Sequence, residues 1–389
     1  MARLGDICEK VTDYVASGSF AALKENVLIT NEENYAIMVK TADFSNGFTK
    51  ALTYTDKRGY DFLKNSNLFG GELILSNIGS IGKVFKVPYL DRPMTLASNT
   101  VMIKTATPEL TDYLYYYFLS PAGYKSLLSI SSGTSMLKFN KTELKKLEIP
   151  IPDIDKQRRI IAVMDKVSNL ISLRKQQLAK LDELVKARFV EMFGGIHDSK
   201  MYPYKLVNDL TDVISGGTPS RDVNEYWEGG TIPWVKTTEL QNNYVTEVEE
   251  YITEEGLNNS SAKIVPAGTV LIAMYGQGKT RGMTAYLGIE ACTNQACACI
   301  LPSDKINQTF LWQFFVLSYD NLRNRAKGGN QPNLNGNIIK NYPVLYPPIE
   351  LQEQFAAFVK QTDKSKAAVQ KALDEAQLLF DSLMQKYFE

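Results

Sequence analysis

Two stretches of the chain repeat apolar residues at alternating steps of four and three. One runs Ile160, Met164, Val167, Ile171, Arg174, Leu178, Leu181, Val185, Arg188 and Met192. The other runs Phe355, Val359, Thr362, Lys366, Val369, Leu373, Ala376, Phe380, Leu383 and Tyr387. A sustained 4-3 repeat is the seam of a coiled coil, with its outer positions charged. Each seam is broken twice by polar residues, Arg174 and Arg188 in one, Thr362 and Lys366 in the other. The spacing predicts two helices of about 35 residues, far longer than the ordinary globular helix of about 11 or 12, and about 50 Å long at 1.5 Å per residue. Pro150 and Pro152 lead into the first, with Asp153 or Asp155 as its cap, and Gly194-Gly195 ends it. Pro347-Pro348 opens the second, which continues to the end of the sequence. Elsewhere the pattern is mixed: short β-rich runs such as "GELILS" and "NTVMIKT", then an apolar helical stretch, "LTDYLYYYFLSPAGYKSLL" or "TFLWQFFVLSYDNLRNR".

These elements occur twice. "VKTADF" (39–44) answers "VKTTEL" (235–240), "GELILSNIGSIGK" (71–83) answers "GTVLIAMYGQGKT" (268–280), and Asn99 answers Asn294. From Gly133 and Asn140, matched to Gly328 and Asn335, an offset of 195 positions holds to the end: Pro152 with Pro347, Gln157 with Gln352, Leu178 with Leu373, Phe193 with Phe388. A repeat of this size is an architectural unit rather than a local motif. The expected fold is α+β: two globular, β-rich mixed α/β domains related by a pseudo-twofold axis, separated by two long helices in an antiparallel coiled coil. The boundaries follow as 1–150 for the first domain, 151–193 for the first helix, 194–203 for a linker, 204–345 for the second domain and 346–389 for the second helix.

Within the repeat, "LIAMYGQGKTRG" (271–282) ends like a phosphate-binding loop. That loop needs G-x-x-x-x-G-K-[ST] between a strand and a helix. Here Ala273 stands where the first glycine is required, and "MTAYLGIEACTNQACACI" downstream reads as strands. The counterpart in the first half, "SNIGSIGKV", keeps the glycine turn and lysine but not the threonine. The shared element is a strand followed by a glycine turn that presents a cation.

Composition narrows the chemistry. The chain has one histidine, His197, and four cysteines, three of them (Cys292, Cys297, Cys299) in one apolar run. This pattern predicts buried thiols and no metal site, and leaves no imidazole cluster for acid–base catalysis. No apolar run reaches the eighteen residues of a membrane span and "MARLGDICEK" is unlike a signal peptide, so the expectation is a soluble, cytoplasmic protein without a membrane partner. Lys plus Arg and Asp plus Glu are 43 each. Any nucleic-acid surface must therefore be local.

Two loop groups per half carry the residue types that hold phosphates and read base edges. In the second half they are Gln277, Lys279 and Arg281, then Arg323, Arg325, Lys327, Asn330, Gln331 and Asn333. In the first half they are Ser80 and Lys83, then Ser132, Thr134, Ser135 and Lys138. The aromatics Tyr226, Trp227 and Trp234 read as core. The first long helix is rich in Lys and Arg (Lys156, Arg158, Arg159, Lys175, Lys180, Lys186), a solvated or partner-facing surface. Zero net charge keeps a structural coiled-coil adaptor in contention, and the lysine turn a nucleotide-binding enzyme.

Taken together, "SGGTPS" (215–220), "YWEGGTIPWVK" (226–236), the "PPIELQEQF" helix entry (347–355) and the duplication resemble the specificity (S) subunits of type I restriction-modification systems over essentially the whole chain. The first half departs from that pattern, with "SGSF" and "YAIMVK" in place of G-T-P and I-P-W-V. The resemblance implies that each globular domain is a target recognition domain reading one half of a bipartite site on double-stranded DNA. It implies that the helices set the gap, that two methyltransferase (M) subunits bind the chain and restriction (R) subunits join the full complex, and that the chain itself performs no catalysis and takes no cofactor. Neither an [ND]-P-P-[YF] loop nor a glycine-rich cofactor loop occurs; "YPPIE" has the prolines without the preceding Asn or Asp.

Overall fold

The computed structural model describes every residue except Ser80, Ser135, Gln277 and residues 329–331. The chain forms two compact units: Met1–Lys175 with Lys371–Glu389, and Gln176–Gln370. These units do not follow the sequential boundaries expected above. Each takes in the end of one long helix and the opposite end of the other, so neither helix forms a separate segment.

The first unit contains β1 (Ala2–Arg3), β2 (Cys8–Asp13), β3 (Ala36–Val39), β4 (Tyr54–Thr55), β5 (Asn67–Leu68), β6 (Leu73–Ser76), β7 (Val84–Lys86), β8 (Met94–Leu96), β9 (Thr100–Thr105) and β10 (Glu148–Ile149). They make a main sheet β2-β9-β6-β7, a second sheet β4-β3-β8-β5 and a ribbon β1-β10. The second unit contains β11 (Tyr204–Leu206), β12 (Val213–Ser215), β13 (Ile232–Val235), β14 (Asn243–Val245), β15 (Glu250–Ile252), β16 (Val270–Ala273), β17 (Thr284–Leu287), β18 (Cys292–Thr293), β19 (Cys297–Ile300) and β20 (Pro343–Leu345). Its sheets are β12-β19-β16-β17-β14, β15-β13-β18 and β11-β20. The order is the same in both units. They differ at sheet edges: β5 extends the small sheet of the first, and β14, parallel to β17, extends the main sheet of the second.

The central strands β6 and β16 read as unbroken apolar runs because both faces are covered, and every residue in them is buried. One face is covered by an apolar helix, Pro108–Leu119 in the first unit and Gln308–Leu317 in the second. Thr107 and Asn307 cap these helices, accepting hydrogen bonds from the Leu110 and Phe310 N–H groups. The expected single helical stretch is interrupted in both halves. Ser120 ends the first helix and Pro121, which has no N–H to continue it, starts the helix Pro121–Ser129. Ser318 makes the same break before the helix Tyr319–Asn324.

The long helices span Ile154–Phe193 and Ile349–Phe388, 40 residues each. Both begin three residues later than the sequence suggested, because the proline lead-in stays extended. Asp153 caps the first, its Oδ1 accepting from Lys156 N–H at 2.8 Å. At equivalent positions Gln157 and Gln352 donate to the carbonyls of Pro152 and Pro347, at 2.8 and 2.7 Å. These bonds fix how the chain turns into each helix.

In the first unit Tyr113 lies tilted against Phe388 (5.5 Å) and donates to the Pro150 carbonyl, while Tyr116 lies near Phe380 (6.4 Å) and donates to Asp165. Numbers rise along one helix as they fall along the other, so the two ends run antiparallel. The second unit shows the same order: Phe189 and Phe193 pack on Phe355, and Lys366 pairs with Asp182 at 2.7 Å. All seam positions of both helices are buried or half-buried. Phe189, Phe193, Met384 and Phe388 are buried as well, one residue beyond the seam. There the helix ends contact the head as well as each other, so a wider apolar face is needed.

Cys292, Cys297 and Cys299 are buried free thiols, and Cys8 is a half-buried free thiol. Burial pushes the Cys292 thiol up to about 11. Among the described residues no helix is long and apolar enough to cross a membrane.

Candidate nucleic-acid interface

In the second unit three loops adjoin one rim of the main sheet, and a fourth, between the helices Tyr319–Asn324 and Gly336–Lys340, is tied to them. Strand register places the three there: Ser215 at the end of β12 pairs with Ala298, and Ala273 at the end of β16 pairs with Cys297 at the start of β19. The loops are 216–220, 274–283, 294–296 and 325–335. Backbone bonds join them at the base: Met274 N–H to Ala296 O (2.8 Å), Leu334 N–H to Met274 O (3.0 Å) and Gly217 N–H to Thr293 O (2.8 Å). The loop after β16 leads into strand β17 and not into a helix, so it is not a nucleotide-phosphate loop.

The two expected cation-bearing loops meet here. Residues 327 and 333 form a two-way bridge, Lys327 N–H to Asn333 O at 3.0 Å and Asn333 N–H to Lys327 O at 2.9 Å. Arg281 donates to the Pro332 carbonyl and so ties the glycine turn to the chain beside that bridge. Arg323, from the helix Tyr319–Asn324, donates to the carbonyls of Gly278 (2.9 Å) and Arg281 (2.5 Å), and more weakly to Lys279 O at 3.4 Å. Tyr319 donates to Lys279 O at 2.7 Å. The guanidiniums of Arg281 and Arg323 thus face backbone carbonyls, whereas Lys279 and Lys327 are exposed. Arg325 is exposed and lies 4.5 Å from the Tyr342 ring centroid, with its Nε donating to Asn321. Gln277, Asn330 and Gln331 lie outside the described residues.

The first unit repeats the arrangement. The loop after β6 is tied to 132–139 by Gly79 N–H to Leu137 O (3.1 Å), Phe139 N–H to Asn77 O (3.1 Å) and the paired bonds between Ser132 and Lys138. Lys83, Ser132, Thr134 and Lys138 are exposed along this rim; Ser80 and Ser135 lie outside the described residues. In both units the turn ends in a left-handed glycine, Gly82 (φ +85°) and Gly282 (φ +86°). Any Cβ at Gly82 would fall 2.5 Å from the Tyr124 ring, and one at Gly282 3.0 Å from Arg323 Cγ. The Gly turn is therefore seated against a side chain of the short helix in each unit. Sequence reading missed Tyr319 and Tyr124 in this role, although the Tyr319/Arg323 spacing of four marks one helix face.

The aromatic motif of the second unit is structural. Trp234 is buried and donates to Gly217 O at 2.9 Å; Trp227 crosses it at 5.0 Å. Arg221 lies over Trp227 at 3.6 Å and pairs with Glu250 at 2.6 Å; Glu250 also pairs with Lys236 at 2.9 Å. Burial alone would raise the Glu250 carboxyl, but the hydrogen bonds from Lys236 and Arg221 hold it below the usual carboxylate range. The same network pushes Lys236 up to about 12, first through its hydrogen bond to Glu249.

The fold is shared with solved S subunits. The chain aligns with the S subunit of a type I restriction-modification system from M. genitalium at a TM-score of 0.55 and 16% identity, covering 100% of this chain and 95% of that one. A chain from a structure concerned with complex assembly and conformational transition of the type I R-M system gives a TM-score of 0.54 at 17% identity, covering 100% and 97%. Among relatives, the EcoR124I/EcoR124II specificity subunit of Escherichia coli is 24% identical over 235 residues, 56% of each chain. The MjaIX specificity subunit of Methanocaldococcus jannaschii is 30% identical over 172 residues, 42% of this chain and 38% of that one. The matches thus span little more than half of the first relative's length and less than half of the second's; the MjaVIII subunit of the same organism matches over 86% of its length at 22% identity. The sequence also matches, twice, the family described as Type I restriction modification DNA specificity domain, over residues 1–183 and 202–377. With nearly all of the sequence inside those two matches, the chain belongs to the type I restriction-modification DNA specificity family.

Proposed function

We propose that the chain is the DNA sequence-specificity subunit of a type I restriction-modification complex, each compact unit reading one half of a bipartite site on double-stranded DNA. The observation that carries this reading is the twofold match to the DNA specificity domain, in units that each present exposed lysines on a glycine turn at the same rim of the main sheet. Lys279, Lys327 and Arg325 in the second unit, and Lys83 and Lys138 in the first, hold phosphates. Ser132, Thr134 and Asn333, with Gln277, Asn330, Gln331, Ser80 and Ser135, supply groups of the kind that read base edges. Arg281 and Arg323 shape the loops that carry them.

The long helices set the spacer between the half-sites, and their charged outer faces bind two methyltransferase subunits, which restriction subunits join in the full cytoplasmic complex. Transfer chemistry and its cofactor belong to those partners. Co-expression with a methyltransferase partner and methylome sequencing tests the reading. It predicts a new methylated motif with two specified parts and an unspecified gap; an unchanged methylome refutes it.

A further inference from the structure

We infer that a groove beside the end of β12 in the second unit holds a phosphate of the DNA backbone between Lys263 and Lys340, and that the first unit replaces this contact with an internal ion pair. The inference rests on the proposed reading of DNA. Strand register identifies the positions involved. Asp13 pairs with Val101 and Ser215 with Ala298, while Val101 and Ala298 lie opposite Leu75 and Ile272, equivalent residues of the two central strands. Asp13 and Ser215 therefore occupy one position of the shared fold. Asn140 and Asn335 cap equivalent short helices, accepting from Glu143 and Ile338 N–H, so Lys141 and Gly336 occupy another.

In the first unit these two positions form a salt bridge, Lys141 Nζ to Asp13 Oδ1 at 2.9 Å, with the Asp13 side chain only 14% exposed. In the second unit they hold a hydroxyl and no side chain. A Cβ built on Gly336 would meet nothing nearer than Ser215 Oγ, 4.0 Å away. The space left is part of a groove of about 580 Å³ whose walls include Ser261, Lys263, Asn337 and Lys340 and, among the described residues, no carboxylate. Among the described residues neither lysine joins an ion pair.

Two lysines without ion-pair partners in one groove with hydroxyl and amide side chains suit a phosphodiester, which is held by point charges and small polar groups. The groove also adjoins the candidate interface: Gly336 follows Leu334 and Asn335, and Leu334 N–H is bonded to Met274 O at the base of the glycine turn.

The test uses the full chain with its methyltransferase subunits, binding a duplex that carries the motif found by methylome sequencing, over a range of salt. Lys263→Gln/Lys340→Gln removes the charges. Ser215→Asp/Gly336→Lys installs the ion pair of the first unit in space the groove already provides. Each phosphate contact contributes about −0.9 to the log–log salt slope. Both variants are expected to make the slope shallower by about 0.9, the share of the one phosphate held, with the motif unchanged. Slopes equal to the parent's in both variants overturn the inference. So does loss of methyltransferase subunits with the slope unchanged, which would assign the groove to a protein partner. Failure of the underlying reading looks different: the parent complex itself would show no motif preference.

Discussion

Replacing Arg323 separates a residue that shapes the interface from one that touches DNA. Its guanidinium makes two short bonds to carbonyls of the 278–281 turn and a third, long one. A hydrogen bond from a charged donor contributes about 1.5–3 kcal/mol. Arg323 is half-buried, so about 2–3 kcal/mol for the set is a fair figure after screening. If that energy orders the turn carrying Lys279, Arg323→Ala weakens specific binding by about 30- to 140-fold. Arg323→Lys discriminates between the roles. A lysine can replace a phosphate contact but not a fork reaching two carbonyls at once. A shaping role predicts that Arg323→Lys is nearly as impaired as Arg323→Ala, measured by equilibrium binding of the methyltransferase complex to its duplex. Near-parent affinity for Arg323→Lys, with Arg323→Ala losing about 0.9 of salt slope, would refute the argument and return Arg323 to the phosphate-contacting set.

Two further outcomes follow from packing and charge. Phe355 is fully buried among Phe189, Phe193 and Phe310, at 5.5, 5.7 and 6.1 Å. Phe355→Ala should cost about 3–5 kcal/mol, read by urea denaturation of the full chain; a loss under about 1 kcal/mol would mean that the helix end is not anchored in that core. Glu250 has its folded-state pKa depressed, so its contribution is present above the unfolded value and lost as pH falls through the folded one. Glu250→Gln should therefore lower the melting temperature at pH 7, and the gap to the parent should close at strongly acid pH; a gap independent of pH contradicts the Arg221–Glu250–Lys236 network.

Long-range periodicity was the most legible feature. The 4-3 repeat and the 195-residue offset located both long helices, and apolar runs located β6 and β16, because burial on a regular element leaves a regular imprint. What escaped depended on tertiary contact. Phe189 and Phe388 fall outside the seam because each helix end packs against the head as well as against the other helix. Arg281 and Arg323 stand out in sequence by charge alone, which does not reveal that their guanidiniums also bond backbone carbonyls. The equivalence of Asp13 with Ser215 is invisible without strand register, as the local sequences around them share little.

The most direct test of separate half-site reading is methylome sequencing of cells expressing the methyltransferase partner with a chain whose turn 275–282 in the second unit is replaced. The account predicts that one half of the motif changes or relaxes while the other half and the spacer length persist. Coordinated change of both halves, or an unaltered motif with full methylation, would contradict it.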